Sequence, residues 1–189
     1  MTIEEKDVRN WIEQNFRDDN EADWSDPEMF QKKIKLPSAL KLIQLPLKND
    51  DYNNCFVSAF GLSDDNNFLP DRKLLGLGTY VQKLIENKVL LPSFEPISGD
   101  YIIYKNDLDI THAGIVKNKE IVVSKWKFGP IIEHSTFAVH PKYGLDISYY
   151  KKTDPNKIKE SLRKMRNHFY RNLENNSNRD GSVNNIIKK

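Results

Sequence analysis

Read for period alone, the chain changes character near residue 100. Before that point apolar side chains recur at helical spacing, and after it short runs of β-branched and aromatic residues alternate with Asn, Asp and Gly. The stretch "IEEKDVRNWIEQNF" puts Ile3, Val8, Trp11, Ile12 and Phe16 near one stripe and predicts a helix over 2–16. "WSDPEMFQKKI" predicts a second, with Ser25 three residues ahead of Glu28 as in a capping box and Pro27 suited to a first turn. "LPSALKLIQLPLKNDDYNN" has prolines at 37 and 46 and a run of Asn and Asp, and reads as a connecting stretch.

From Cys55 the small and apolar residues Val57, Ala59 and Phe60 predict a helix ended by Gly61. "TYVQKLIENKVL" predicts another, with Val81, Leu84, Ile85 and Leu90 on one side and a turn at Gly76 and Gly78 ahead of it. "DYIIYK", "ITHAGIVK", "EIVVSKW" and "PIIEHSTF" then read as consecutive antiparallel strands, and "GLDISYYKK" as one more. "DPNKIKESLRKMRNHFYRNL" closes the pattern as a helix, with Ile158, Leu162, Met165, Phe169 and Leu173 on one stripe, Asp154 as cap and Pro155 just inside. Helices, then strands, then a helix is an α+β order.

Length and composition add one constraint each. The 189 residues suit one domain with terminal additions. The net charge of +2 does not by itself point to a polyanionic partner. Local charge is less even. Residues 1–30 carry ten acids against three bases, whereas 157–171 carry six bases against Glu160. Mutual docking of the two ends is one expectation, and two separately solvated faces the other. The acidic start lacks the basic, then apolar, pattern of a secretory leader, and no run approaches the ~18 apolar residues of a membrane span. A soluble, cytoplasmic protein without membrane insertion is expected, and nucleic acid is not an expected partner. A single cysteine cannot form an internal disulfide.

That cysteine raises the chemical question. A thiol attacks as thiolate, which a helix N-terminus or a neighbouring imidazolium favours, and Cys55 stands where a helix should begin. His112, next to Ala113 and Gly114 on a central strand, is the candidate base, because small neighbours admit close approach. The plainer readings are a buried small hydrophobe for Cys55 and a hydrogen-bonded core histidine for His112. His140 and His168 read as surface residues. Phe128, Trp126 and Tyr143 are either groove or core aromatics. The Cys and His spacings offer no close ligand pair, so zinc is not expected, and thiol chemistry would need no other cofactor.

The order "NNCFVSAFGL", "SGDYIIY", "THAGIV", "EIVVSKW" resembles the core of NlpC-type papain-like cysteine peptidases and amidases over roughly residues 50–150. Gly99-Asp100 matches the Gly-Asp that opens the first core strand, and His112, Gly114 and Ile115 match the His strand. The chain is similar also to an uncharacterised bacterial branch of that superfamily, through Asn54-Cys55, Thr111-His112-Ala113, Ser124-Lys125 and Glu133-His134. Around the nucleophile, the usual Asp-Cys-Ser-Gly is here Asn-Cys-Phe-Val.

The resemblance implies a papain-like core over 49–152; outside it the residue pattern leaves an N-terminal helical extension over 1–48, an amphipathic helix over 153–175 and a flexible tail over 176–189. It implies a hydrolase or acyltransferase acting on an amide or peptide-type bond, with Cys55 as nucleophile, His112 as base and a protein or peptide as substrate. His134 is the preferred residue to orient the imidazole, with Ser124 second. Lys125 would face His112 if Asn118 and Lys119 made a two-residue turn. The oxyanion would meet the N–H of Cys55 and a donor among Tyr52, Asn53 and Asn54. The alternative is the same fold with an inactive site, serving as a binding or immunity-type module through its acidic N-terminal segment or its basic helix.

Overall fold

The computed structural model describes residues 1–17, 25–47, 54–62, 77–107, 109–127, 129–165 and 167. Helix α1 (Ile3–Asn15) starts at Thr2, whose hydroxyl accepts from the Glu5 N–H while the Glu5 carboxylate accepts from the Thr2 N–H. This reciprocal capping closes two of the donors that a helix start leaves open. Helix α2 (Pro27–Lys33) is capped by Asp26, which accepts from the N–H groups of Glu28 and Met29, and not by the expected Ser25. A carboxylate one residue ahead of Pro27 reaches both amides, and with Met29 three residues on, the cap is not a reciprocal box.

Helix α3 (Cys55–Ala59) and helix α4 (Leu77–Glu86) follow, and a last helix, α5, covers 155–165. The strands are β1 (Lys41–Gln44), β2 (Tyr101–Asn106), β3 (Asp109–Val116), β4 (Ile121–Lys125), β5 (Ile131–Ser135) and β6 (Asp146–Tyr150). They form one antiparallel sheet in the order β1-β5-β4-β3-β2-β6. The four expected consecutive strands are present as a meander. The segment read as a connection before Cys55 supplies β1, which pairs with β5 at one edge through a bulge between Leu42 and Gln44. The sheet thus extends into what the sequence assigned to an N-terminal extension. The expected tail over 176–189 lies outside the described residues.

Both faces of the sheet are covered, by different elements. On one face α3, α4 and α5 bring Cys55, Val57, Phe60, Val81, Leu84, Ile158 and Leu162 against Tyr101, Ile103, Ala113 and Tyr150. On the other, α1 and α2 place Val8, Ile12, Phe16 and Phe30 with Trp126 and Ile132, while Val139 and Tyr143 pack on Ile102, Tyr104, Val116 and Val122. The acidic α1 and the basic α5 therefore sit on opposite faces, and the expected mutual docking does not occur among the described residues. Among those residues no helix is long and apolar enough to cross a membrane.

Two close approaches fix the frame. Gly78 lies in the first turn of α4, not in a turn ahead of it, and a Cβ there would fall 2.2 Å from the carbonyl oxygen of Ile110. At the start of β2 the buried Asp100 carboxylate accepts from the Ser93 hydroxyl at 2.7 Å and from the N–H groups of Ile97 and Lys152. Gly99 beside it adopts φ 97°, a left-handed conformation that costs glycine little.

Candidate functional site

Asn54 caps α3. Its side-chain oxygen accepts from the N–H groups of Phe56 at 3.0 Å and Val57 at 3.2 Å, so that oxygen serves the helix rather than a substrate. Tyr52 and Asn53 lie outside the described residues. Cys55 opens the helix as the sequence predicts, but its thiol is buried. Burial pushes the thiol up to about 12, although the backbone N–H groups of Ala113, Phe56 and Cys55 itself act in the opposite direction. A thiol in that condition is protonated at neutral pH.

Ala113 packs in the same buried cluster as Cys55, and successive side chains of a strand point to opposite faces, so His112 and Gly114 are turned away from that core. Pairing agrees. Ala113 is opposite Ile103, which belongs to the Cys55 core, and His112 is opposite Tyr104, which belongs to the other. The expected dyad is therefore not assembled: Cys55 and His112 occupy different faces of one sheet.

On its own face His112 is wholly buried. Its ring lies flat on Tyr143, with centroids 4.0 Å apart, and is tilted against Tyr104 at 5.4 Å. A bulge puts Thr111 out of register between Tyr104 and Lys105, and the Thr111 hydroxyl donates to the Tyr143 carbonyl at 2.7 Å. This bond ties the 3₁₀ turn Pro141–Tyr143 down over the histidine. Neither ring nitrogen of His112 has a hydrogen-bond partner among the described residues. Burial, and then the neighbouring His134 and His140, hold its pKa well below the ordinary histidine value.

The two residues proposed to orient His112 instead bind each other. Ser124 Oγ and His134 Nε2 are 2.8 Å apart, and His134 Nδ1 lies 2.8 Å from the Ser135 carbonyl. A carbonyl only accepts, so we assign the proton to Nδ1. Nε2 then accepts from the Ser124 hydroxyl, whose oxygen accepts in turn from Trp126 Nε1 at 3.1 Å. Burial lowers His134 to about 4, partly offset by the Ser135 carbonyl. The connectivity is that of a hydroxyl, a base and an orienting acceptor, but Ser124 is 3 % and His134 1 % exposed. Closed beneath α1, the chain of bonds satisfies a polar group in a core and offers its hydroxyl to no substrate.

Lys125 does not face His112 either. Ile115 opposes Val123 and Val116 opposes Val122, which places Ser124 beside Gly114 and turns Lys125 to the Cys55 side, where its ammonium donates to the Gly129 carbonyl. The linking turn is longer than two residues, since Lys117 and Asn118 both donate to the Ile121 carbonyl. His140, expected at the surface, is buried, and its Nδ1 accepts from the Lys142 N–H. His168 and Phe128 lie outside the described residues. No group of three His, Cys, Asp or Glu able to hold a metal ion occurs among the described residues.

Sequence reasoning named Trp126 and Tyr143 without a role. The structure makes Trp126 the donor that completes the Ser124 network and Tyr143 the lid on His112. No signal in the sequence marks the second pairing, which depends on a turn folding back thirty residues downstream. Comparison with family models, curated proteins and solved structures finds no match to this chain.

Proposed function

We propose that the chain is an interaction module on an α+β scaffold resembling the NlpC-type core, with Cys55 and His112 used for packing rather than for thiol chemistry. The observation that carries this reading is the parity of β3, which puts Ala113 in the Cys55 core and His112 against Tyr143 on the other face. A thiol of pKa about 12 holds roughly one part in 10⁵ of thiolate at pH 7. Alkylation of the native protein with iodoacetamide at pH 7 should therefore run far below the rate for free cysteine and reach that rate only on unfolding. Labelling of native Cys55 as fast as free cysteine sinks the proposal.

One observation favours the other reading, a cysteine-dependent hydrolase or acyltransferase on an amide-type bond. Buried polar atoms nearly always find partners, and the His112 ring nitrogens have none. That reading needs α3 to meet the opposite face of β3, and it predicts fast alkylation with a rate that titrates with the histidine.

A further inference from the structure

The interaction-module reading raises the question of which surface binds. A groove of about 500 Å³ runs along the start of α1, walled by Ile3, Glu4, Asp7, Val8 and Trp11 and, across it, by the 37–39 segment. Its volume is that of a site for a few side chains. Positions 3, 4, 7, 8 and 11 form one helical stripe, so the groove is a continuous feature of α1 and not a gap between loops.

The charged side chains that line it, Glu4 and Asp7, are both acidic. The Arg9 side chain is turned inward, buried and donating to the Phe137 carbonyl, while Glu4 and Asp7 remain exposed. Lys6, the other cation of the helix, falls off the stripe. Glu5 accepts from the Thr2 N–H and from the Ser135 hydroxyl at 2.9 Å, so it turns away from the opening. The described part of the basic α5 packs on the far side of the sheet. Ile3 stays 83 % exposed at the mouth of the groove.

We infer that this groove docks a basic peptide segment of a partner protein, one or two apolar side chains entering against Val8 and Trp11 while lysine or arginine meets Glu4 and Asp7. Apolar floor supplies anchoring and the acidic rim supplies selection by sign. The inference rests on the interaction-module reading and names its surface.

The test uses the full chain, ¹⁵N-labelled, with two capped octapeptides, one of alternating Leu and Lys and one of alternating Leu and Glu. The Leu–Lys peptide should shift amides within 3–11 and 38–39 saturably, change Trp11 fluorescence, and bind roughly tenfold or more weaker when salt rises from about 50 to 500 mM. The Leu–Glu peptide should do none of this. Glu4→Gln/Asp7→Asn, two exposed substitutions, should weaken binding roughly tenfold with the spectrum otherwise unchanged. No saturable shift, shifts confined to other elements, or indifference to the double variant overturns the inference. Fast alkylation of Cys55 overturns the module reading whatever the groove does, and an inert Cys55 with a silent groove removes the groove alone.

Discussion

Tyr143 lies flat on His112, ring planes within 1° and centroids 4.0 Å apart, so an imidazole with two unpartnered nitrogens is sealed by a phenol face. A buried polar group without a partner keeps its desolvation cost, and an apolar ring of similar shape does not. His112→Phe should leave stability unchanged or raise it by about 1–2 kcal/mol, read from the urea midpoint. A loss of several kcal/mol would mean that the ring nitrogens hold a partner essential to the fold.

The same burial sets a pH dependence. His134 is lowered to about 4 and His112 is lowered well below its ordinary value, so the unfolded chain takes up these protons first as pH falls. Their contribution is complete above about pH 6.5 and is lost on the way down toward the folded values, by roughly 1.4 kcal/mol per pH unit for each group. Urea unfolding between pH 7.5 and 5.5 should show this decline. The lowered carboxylates Glu5 and Asp100 enter only nearer pH 4. In His112→Phe about half the slope should remain, carried by His134.

Ser124→Ala removes one hydroxyl and strands two groups, His134 Nε2 and Trp126 Nε1. Each orphaned buried group costs about 1–3 kcal/mol, so a loss of roughly 2–6 kcal/mol is expected from thermal or urea unfolding. His134 should also titrate differently, which a histidine proton resonance followed with pH would register. A loss below about 1 kcal/mol would contradict the assigned network.

Gly78→Ala tests the seating of α4 on β3. Alanine in a helix ordinarily gains about 0.5–1 kcal/mol over glycine. Here its Cβ meets the Ile110 carbonyl oxygen, a backbone atom, and the sign should reverse to a loss of about 2 kcal/mol or more. Equal or higher stability of the variant would show that α4 stands further from the strand.

Much of the fold is legible from period. The stripe from Ile3 to Phe16 gives α1 and the runs after residue 100 give the meander, because amphipathic helices and short β-branched runs each leave their own repeat. β1 escapes, since Lys41–Gln44 is short, wholly exposed and soon followed by Pro46, and it is a strand only because β5 lies beside it. The site fails for a sharper reason. β2 reads buried at four successive positions, and β3 at 112, 113 and 114, so neither has the alternation that would reveal which face each side chain takes. The sequence puts Cys55 and His112 each on the right element; their sides depend on which face α3 covers, and that is a tertiary fact. Ser124 and His134 likewise read as polar partners, but of His112 rather than of each other.

A sheet clad on both sides gives this chain two interiors divided by a wall one backbone thick. Among the described residues the Cys55 interior and the His112 interior form separate clusters, so each can drift, be repacked or be emptied with little echo in the other. The wall insulates, and a chemistry that needed sulfur and imidazole together would have to be built around its rim.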